Sequence, residues 1–419
     1  MDSGHPPFFG MYIAGAWKLL GKTLFVSHLA LLPFILLLGF QYYKLVCNFI
    51  EGSWARTIAM LVFCLDPCLS GQFVLVSPDV ILLLGFVISL RSVLENRKGM
   101  LTLGLVILCL ISMRGYMISA ALGCFYILKL FYPKGTENPN KGRLSVLFPF
   151  VPGALIAIGF LIAHFMHAGW VGYHEDSPWA DSFLLVDVQG MLKNSAIIIW
   201  RLLDFGRIFL WIPIVLFLIK WWRAKVAVTK SERGVFIILL LLAIWLLPSM
   251  LIHQYLTGHR YLLPIMLLGQ LLAWISLEKL VREINTKKLL YSLVAIGIIT
   301  GNFWIYSDKI AMGWDSTLAH LPYYELRIEM IEYIDEQNID LQSIGSQFPN
   351  VLPMKYIDLS DRNERFAHQD LESQDYILYS NVFNDFSDED IDRLQSFWVP
   401  IKKASKMGVH MTLYKRPDQ

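Results

Sequence analysis

The first residues of the chain place an acid, an imidazole and two prolines directly before an apolar segment. Asp2 and His5 stand in Asp-Ser-Gly-His-Pro-Pro, and the aromatic-rich run from Phe8 to Leu20 follows. Proline fixes its own φ and disfavours helix in the residue before it, so a helix is expected to begin just after Pro7. A carboxylate held there could act as a general base or bind a metal ion, and the imidazole could bind phosphate or carry a proton. The alternative is a disordered terminus whose polar residues occur by chance.

Three further sequences place ionisable residues at the ends of apolar segments. Asp79 follows Ser-Pro, where it would either stabilise the first turn of a helix or form the wall of a site. Arg114 stands in Ser-Met-Arg-Gly-Tyr, and Asp204 and Arg207 stand in Asp-Phe-Gly-Arg. Ionisable residues at membrane depth are costly and are therefore candidates for a functional site. A structural pair between Asp204 and a nearby arginine explains those two charges equally well.

The run Gly-His-Arg-Tyr-Leu-Leu-Pro, from Gly258 to Pro264, is the tightest polar cluster late in the chain. Arg260 and Tyr261 supply donors for phosphate and a ring that can stack on a sugar, and His259 stands beside them. The alternative is an arginine at the membrane interface next to a tyrosine of the aromatic belt.

Motifs for metal or nucleotide chemistry are missing from the sequence. His164 and His167 lie three residues apart, but no carboxylate stands at helical spacing within their segment, so no metal site is predicted. No Walker A loop, dinucleotide fingerprint, His-Glu-x-x-His pair or nucleophile elbow occurs. Nucleotide-driven chemistry is therefore not supported.

The composition is that of a polytopic membrane protein. Of the 419 residues, 55% are hydrophobic and 17% are charged, and the mean hydropathy is +0.50. Soluble domains carry roughly 25% charged residues. The net charge of +2 leaves no large basic surface for nucleic acid. The five cysteines lie in or beside apolar runs and are expected to be small buried residues.

About ten apolar stretches could cross a bilayer, and a polar region follows them. They cover residues 24–48, 56–75, 79–93, 99–113, 115–132, 145–168, 206–222, 234–255, 261–280 and 289–307. Basic residues cluster in the loops on one side, which the positive-inside rule makes cytoplasmic, whereas the loop 169–190 holds acids and no Lys or Arg. This orientation puts both ends of the chain outside. A further span is then expected to be missing ahead of Met1, unless one of the short stretches does not cross.

The sequence predicts two domains, a transmembrane domain over residues 1–309 and a soluble domain over residues 310–419. The second is polar and mixed in charge. Helices are expected over 323–339 and 388–398. Short strands are expected over 344–348, 375–379 and 409–414. This region reads as a small α/β domain outside the cytoplasm.

Together these motifs resemble the GT-C membrane glycosyltransferases, in particular the branch of the protein O-mannosyltransferases and lipid A aminoarabinose transferases (glycosyltransferase family 39-like). In that branch a basic residue followed by proline opens a helix on the outer membrane face and contacts the lipid phosphate, and His5 stands at this position. Asp79 matches an acid at the outer start of a later span, and Arg260 to Pro264 resembles a late outer motif. The resemblance covers about residues 1–307. The family's catalytic acid precedes the proline segment, so either Asp2 substitutes for it or the acid is missing upstream.

The resemblance implies an integral-membrane glycosyltransferase of the bacterial cytoplasmic membrane, all-α with about ten spans. The donor would be a sugar on a polyprenyl phosphate, and the acceptor a glycan, lipid or protein. A carboxylate would deprotonate the acceptor, and His5, Arg114 and Arg260, with His259 and Tyr261 beside them, would bind the lipid phosphate and the sugar. Asp79, Asp204 and Arg207 would form the site wall. Some family members use a divalent metal ion, and the sequence leaves open whether this protein requires one. The alternatives are a transporter or lipid flippase, and an inactive truncated relative that serves in envelope assembly.

Overall fold

The computed structural model describes residues 4–131, 143–172, 174–175, 180–223, 226–310, 313 and 315–417. The chain divides into two compact units. One comprises Met1–Gly21 and Phe25–Gly301, and the other comprises Lys22–Leu24 and Asn302–Gln419. Each unit has its own hydrophobic core.

The chain up to Gly301 is helical. Its α-helices are α1 (Phe8–Leu20), α2 (Leu24–Cys47), α3 (Ser53–Cys64), α4 (Pro67–Val74), α5 (Asp79–Glu95), α6 (Lys98–Ile111), α7 (Met113–Phe131), α8 (Val151–Ala168), α9 (Val188–Leu203), α10 (Ile208–Trp222), α11 (Lys230–Ile252), α12 (Leu263–Leu280) and α13 (Ile284–Thr300). Helix α1 begins directly after Pro7, as the two prolines predict. The expectation of a polytopic, helical membrane protein is confirmed.

Within the described residues, four helical segments are long and apolar enough to cross a membrane: Leu24–Cys47, Leu147–Ala168, Lys230–Ile252 and His259–Leu280. Two bent pairs raise this number to six if each counts as one span. The predicted stretch 56–75 is one of them, because α3 and α4 meet at a 56° bend. The other joins α9 and α10 at 96°. Helix α9 was not predicted, since its polar Lys193, Asn194 and Arg201 interrupt the apolar run.

Helices α5 and α12 form the centre of the first unit. Nearly every residue of both helices is buried, which explains why their sequences are apolar on all sides. Helices α5 and α6 pack closely where two glycines meet. A Cβ atom on Gly104 would lie 2.8 Å from the carbonyl oxygen of Gly85. Small residues at such a crossing let the two backbones approach each other.

The second unit is a small α/β domain. Its sheet has the strand order β2 (Ala367–His368), β1 (Ile344–Ser346), β3 (Tyr376–Ser380), β5 (Val409–Lys415) and β4 (Val399–Lys406). Strand β1 is parallel to β2 and β3, whereas β5 is antiparallel to β3 and β4. The helices are α14 (Pro322–Glu336), the short α15 (Met354–Ile357) and α16 (Asp388–Phe397).

The predicted helices and strands of this domain are confirmed at α14, α16, β1, β3 and β5. Strand β4 was missed, and its sequence Val-Pro-Ile-Lys-Lys-Ala-Ser-Lys shows why. It lies at the edge of the sheet, where lysines and proline are tolerated and no apolar alternation is required.

Candidate active-site cavity

A cavity of about 530 Å³ opens in the first unit. Short polar segments and the ends of α7 and α11 supply its walls. They are His5, Met113, Arg114, Met117, Trp170, Val171, Gly172, His174, Ser182, Phe183, Leu246, Ser249, Met250, Leu256, Arg260 and Tyr261. Arginine, histidine and aromatic side chains are present, and none of these described lining residues is Asp or Glu. Ser182 and Ser249 add two hydroxyls, and the remaining lining residues are apolar or glycine.

Two arginines approach the ring of Tyr261 in this cavity. The guanidinium carbons of Arg114 and Arg260 lie 4.7 Å and 5.2 Å from the ring centroid. Arg260 Nη2 donates to the Tyr261 hydroxyl at 3.3 Å, and Arg114 Nη1 donates to the Arg260 carbonyl at 3.4 Å. Residues 114 and 260 are 146 positions apart, so only the fold brings these cations together. The pair makes the cavity attractive to an anion.

Asp79 fixes one of the two arginines. It lies in the first turn of α5, and its carboxylate pairs with Arg114 Nη2 at 2.6 Å. The Asp79 side chain is almost fully buried, whereas Arg114 keeps part of its surface accessible at the cavity. Asp79 therefore stands behind the arginine rather than on the cavity surface. It orients the guanidinium while that group can still reach a ligand.

His5 enters the same cavity from the segment that precedes α1. Burial lowers the pKa of its imidazole, and the positive charges of Arg114 and Arg260 lower it further, against a smaller opposing effect of Asp79. The imidazole is therefore neutral at pH 7 and can donate or accept one hydrogen bond at each ring nitrogen.

The backbone before His5 packs against an aromatic ring. Gly4 has a φ of +66°, and a Cβ atom on it would lie 2.8 Å from the Trp170 ring. The same ring lies 4.5 Å from the His164 ring and 5.4 Å from the His174 ring, measured between centroids. Trp170 and His174 thus build an aromatic wall beside His5. Apart from the abundance of tryptophan, no sequence pattern predicted this wall.

His259 does not line the cavity, unlike its neighbours Arg260 and Tyr261. It is 1% exposed, and its Nε2 lies 2.7 Å from Asp204 Oδ2. The expectation that His259 binds the donor therefore finds no support in its position. The single helical turn His259–Leu262 directs the imidazole into a buried polar cluster and the next two side chains to the cavity. Asp204 and Arg207, expected in the site wall, belong to that same cluster.

The buried cluster centres on an ion pair that the sequence did not single out. Asp66 Oδ1 accepts from Arg207 Nη2 at 2.8 Å, and Asp66 Oδ2 accepts from Gln270 Nε2 at 2.9 Å. Asp66 also caps α4. Asp204 lies 3.8 Å from Arg207. In the sequence Asp66 stands in Asp-Pro, which is a usual helix start and hides its second role.

The cluster joins the two breaks in the helices. Asp66 lies between α3 and α4, and Arg207 lies between α9 and α10. Asp204 then connects this pair to His259 at the beginning of the segment that carries Arg260 and Tyr261. The cluster therefore supports the cavity from behind.

No carboxylate among the described residues is assigned as the catalytic base. Asp2 lies outside them, so its role as a base stays a prediction. Among the described residues no three Asp, Glu, His or Cys side chains come together as metal ligands, and no metal site is assigned.

The fold is that of the GT-C membrane glycosyltransferases. The comparison that shows it is with the crystal structure of ArnT from Cupriavidus metallidurans bound to undecaprenyl phosphate. The TM-score is 0.53 at 11% sequence identity, over 98% of this chain and 88% of that chain. The likeness is therefore one of fold. No family model and no curated protein sequence matches the chain.

Proposed function

We propose that the protein is a membrane glycosyltransferase that moves a sugar from a polyprenyl-phosphate donor to an acceptor at the outer face of the membrane. One observation carries the proposal: Arg114, Arg260 and Tyr261 converge with His5 in a cavity whose described walls contain no carboxylate. The GT-C fold supports the same assignment, and the similar ArnT structure holds undecaprenyl phosphate.

The cavity has the chemistry that a lipid phosphate requires. Guanidinium groups donate paired, charge-assisted hydrogen bonds to phosphate oxygens, and these bonds strengthen as the phosphate becomes the leaving group. The methionines and leucines of the wall suit the first isoprene units. A sugar carried on such a lipid reaches the enzyme without any nucleotide, which agrees with the lack of nucleotide-binding motifs.

In this proposal the acceptor attacks the anomeric carbon and the phosphate leaves from the opposite face. The bond from the anomeric carbon to the acceptor oxygen or nitrogen forms, and the bond to the phosphate oxygen breaks. The acceptor's proton goes to a carboxylate base, for which Asp2 is the candidate within this chain. Arg114 and Arg260 balance the charge that develops on the departing phosphate.

Binding of the lipid is tested first, with purified protein in nanodiscs and undecaprenyl phosphate as the probe. Arg260→Gln is expected to weaken binding by about 10- to 100-fold, because one charge-assisted contact contributes roughly 1.5–3 kcal/mol. Arg282→Gln is the matched control, since Arg282 is an exposed arginine between α12 and α13. Equal affinities of the wild type and Arg260→Gln would refute the assignment of the cavity.

Transfer is tested next, with radiolabelled polyprenyl-phosphate sugars in membranes. Transfer by the wild type that is lost in Asp2→Asn would support Asp2 as the base. Lipid binding without transfer of any sugar would favour the inactive relative. Movement of the lipid between leaflets without transfer would favour the flippase.

A further inference from the structure

The second unit contains a cavity of its own, which the proposed transfer reaction does not use. Its volume is about 420 Å³, within the usual range for small-molecule sites. We call it the sheet cleft. It is lined by Asp308, Gln395, Pro400, Lys403, Ala404, Ser405, His410, Thr412 and Tyr414. Most of these side chains are polar, unlike those that line the cavity of the first unit.

The pleat of the sheet creates one wall of the cleft. His410, Thr412 and Tyr414 alternate along β5 and share one face of the strand. Lys403 and Ser405 of the edge strand β4 pair with Thr412 and His410, respectively. The intervening residues of β5, namely Val409, Met411 and Leu413, point to the opposite face and are fully buried in the core. The polar face therefore lies on a rigid two-stranded ladder.

Asp308 forms the facing wall and is held at several points. Its carbonyl oxygen accepts from Asn384 Nδ2 at 2.9 Å. One carboxylate oxygen accepts from Gln395 Nε2 at 3.0 Å, and the other lies 3.1 Å from His410 Nε2. Carboxylate, amide and imidazole are thus fixed relative to one another before any ligand arrives. Such preorganisation reduces the entropy that a ligand must overcome on binding.

The same groups are still accessible to a ligand. The side chains of Asp308 and His410 are 30% and 35% exposed, so each has surface left for further hydrogen bonds. A carboxylate oxygen has more than one acceptor site, and an imidazole has a second ring nitrogen. The exposed hydroxyl of Ser405 can both donate and accept, whereas Thr412 is only 4% exposed.

The balance of charge and hydrogen-bonding groups indicates the class of ligand. Asp308 and Lys403 contribute one negative and one positive charge, so neither anions nor cations are strongly selected. Carboxylate, amide, imidazole and hydroxyl groups together match a ligand with many neighbouring hydroxyls, each of which donates and accepts. A sugar ring has this pattern, whereas an apolar ligand would leave the cleft's polar groups without partners.

We propose that the sheet cleft binds a carbohydrate of one or two rings, with Asp308, His410 and Gln395 contacting its hydroxyls. The sheet cleft shares no residue with the cavity of the first unit, so this proposal can be tested independently of the proposed transfer reaction.

The test is ligand-observed NMR on the intact protein in a detergent without a sugar headgroup, because a maltoside or glucoside would compete. The probes are a panel of neutral, N-acetylated and acidic mono- and disaccharides, with glycerol as the negative control. We expect saturation transfer to at least one sugar. Asp308→Asn and His410→Gln are each expected to weaken its binding at least tenfold. Asp361→Asn and His368→Gln are matched controls at exposed positions of the same domain.

Ser405→Ala is the second variant in case the charge changes prevent folding, since it removes only the exposed hydroxyl of Ser405. It should weaken sugar binding while undecaprenyl phosphate binding stays unchanged. Failure of every sugar to bind the wild type overturns the proposal. Binding that all three cleft variants retain also overturns it, because the sugar would then occupy another place.

Discussion

The buried pair of Asp66 and Arg207 offers the sharpest test of how the membrane unit is held together. The two side chains are 2% and 1% exposed and meet at 2.8 Å. Arg207→Met removes the cation and keeps an unbranched apolar side chain of similar length. The Asp66 carboxylate then keeps its bonds from the backbone amides of Cys68 and Leu69 and from Gln270, but loses its counter-charge.

The expected loss of stability follows from the charge that each substitution leaves without a partner. Truncating one partner of a buried ion pair costs about 3–5 kcal/mol, because the other charge is left uncompensated. Asp66→Asn removes that charge, and the asparagine oxygen can still accept from the amides that start α4. The double variant Asp66→Asn with Arg207→Met should therefore be more stable than Arg207→Met alone. A coupling energy of about 2 kcal/mol is expected between neighbours of this kind.

The assay is a double-mutant cycle on the free energy of unfolding, measured by steric trapping in bicelles. Lys193→Met, on the exposed surface of α9, is the control for loss of a cation. A second readout is the affinity for undecaprenyl phosphate. Arg207→Met should reduce it, because Asp204 and His259 link the cluster to the segment that carries Arg260. Additive effects of the two substitutions would refute the reasoning, since they would show that neither charge depends on the other.

Two further predictions concern Gly4 and His320. Gly4→Ala should weaken undecaprenyl phosphate binding about tenfold, because the φ of Gly4 is +66° and the new Cβ atom would lie 2.8 Å from the Trp170 ring, which would displace His5. Gly10→Ala is the control and should bind the lipid normally, because its Cβ atom would meet nothing within 4 Å. Unchanged affinity of Gly4→Ala would contradict the placement of His5. In the second unit, burial lowers the pKa of His320 from 6.5 to about 4. The unfolded domain therefore binds more protons between these values, and its stability should be constant above pH 7 and fall by about 2 kcal/mol at pH 5. Pulse proteolysis in urea measures this stability at pH 7 and pH 5. His320→Gln should remove the pH dependence attributed to this residue. Equal wild-type stability at pH 7 and pH 5 would refute the prediction.

Much of the membrane fold could be predicted from the sequence, because hydrophobicity is a local property. Most of the apolar stretches coincide with helices, and Pro6 and Pro7 place the start of α1 correctly. Helix α9 could not be predicted in this way, since its polar residues bond to distant partners. Asn194, for example, donates to the carbonyls of Leu251 and His253.

The residues of the candidate site could also be predicted only in part. His5, Arg114, Arg260 and Tyr261 were selected for their chemistry and their places at the ends of apolar segments, and the structure brings these four to one cavity. His259 shows the limit of such reasoning. It is adjacent to Arg260 in the chain, but the two side chains reach different environments.

By itself, then, the sequence determined that the chain is a helical membrane protein followed by a small polar domain, because those properties depend on the composition of contiguous segments. Only the tertiary structure decided which charges face a ligand and which face each other. Asp66 and Arg207 lie 141 residues apart, and Asp308 lies 102 residues from His410 (410 − 308). Partners so distant meet through helix breaks and strand pairing, and no local pattern records those contacts.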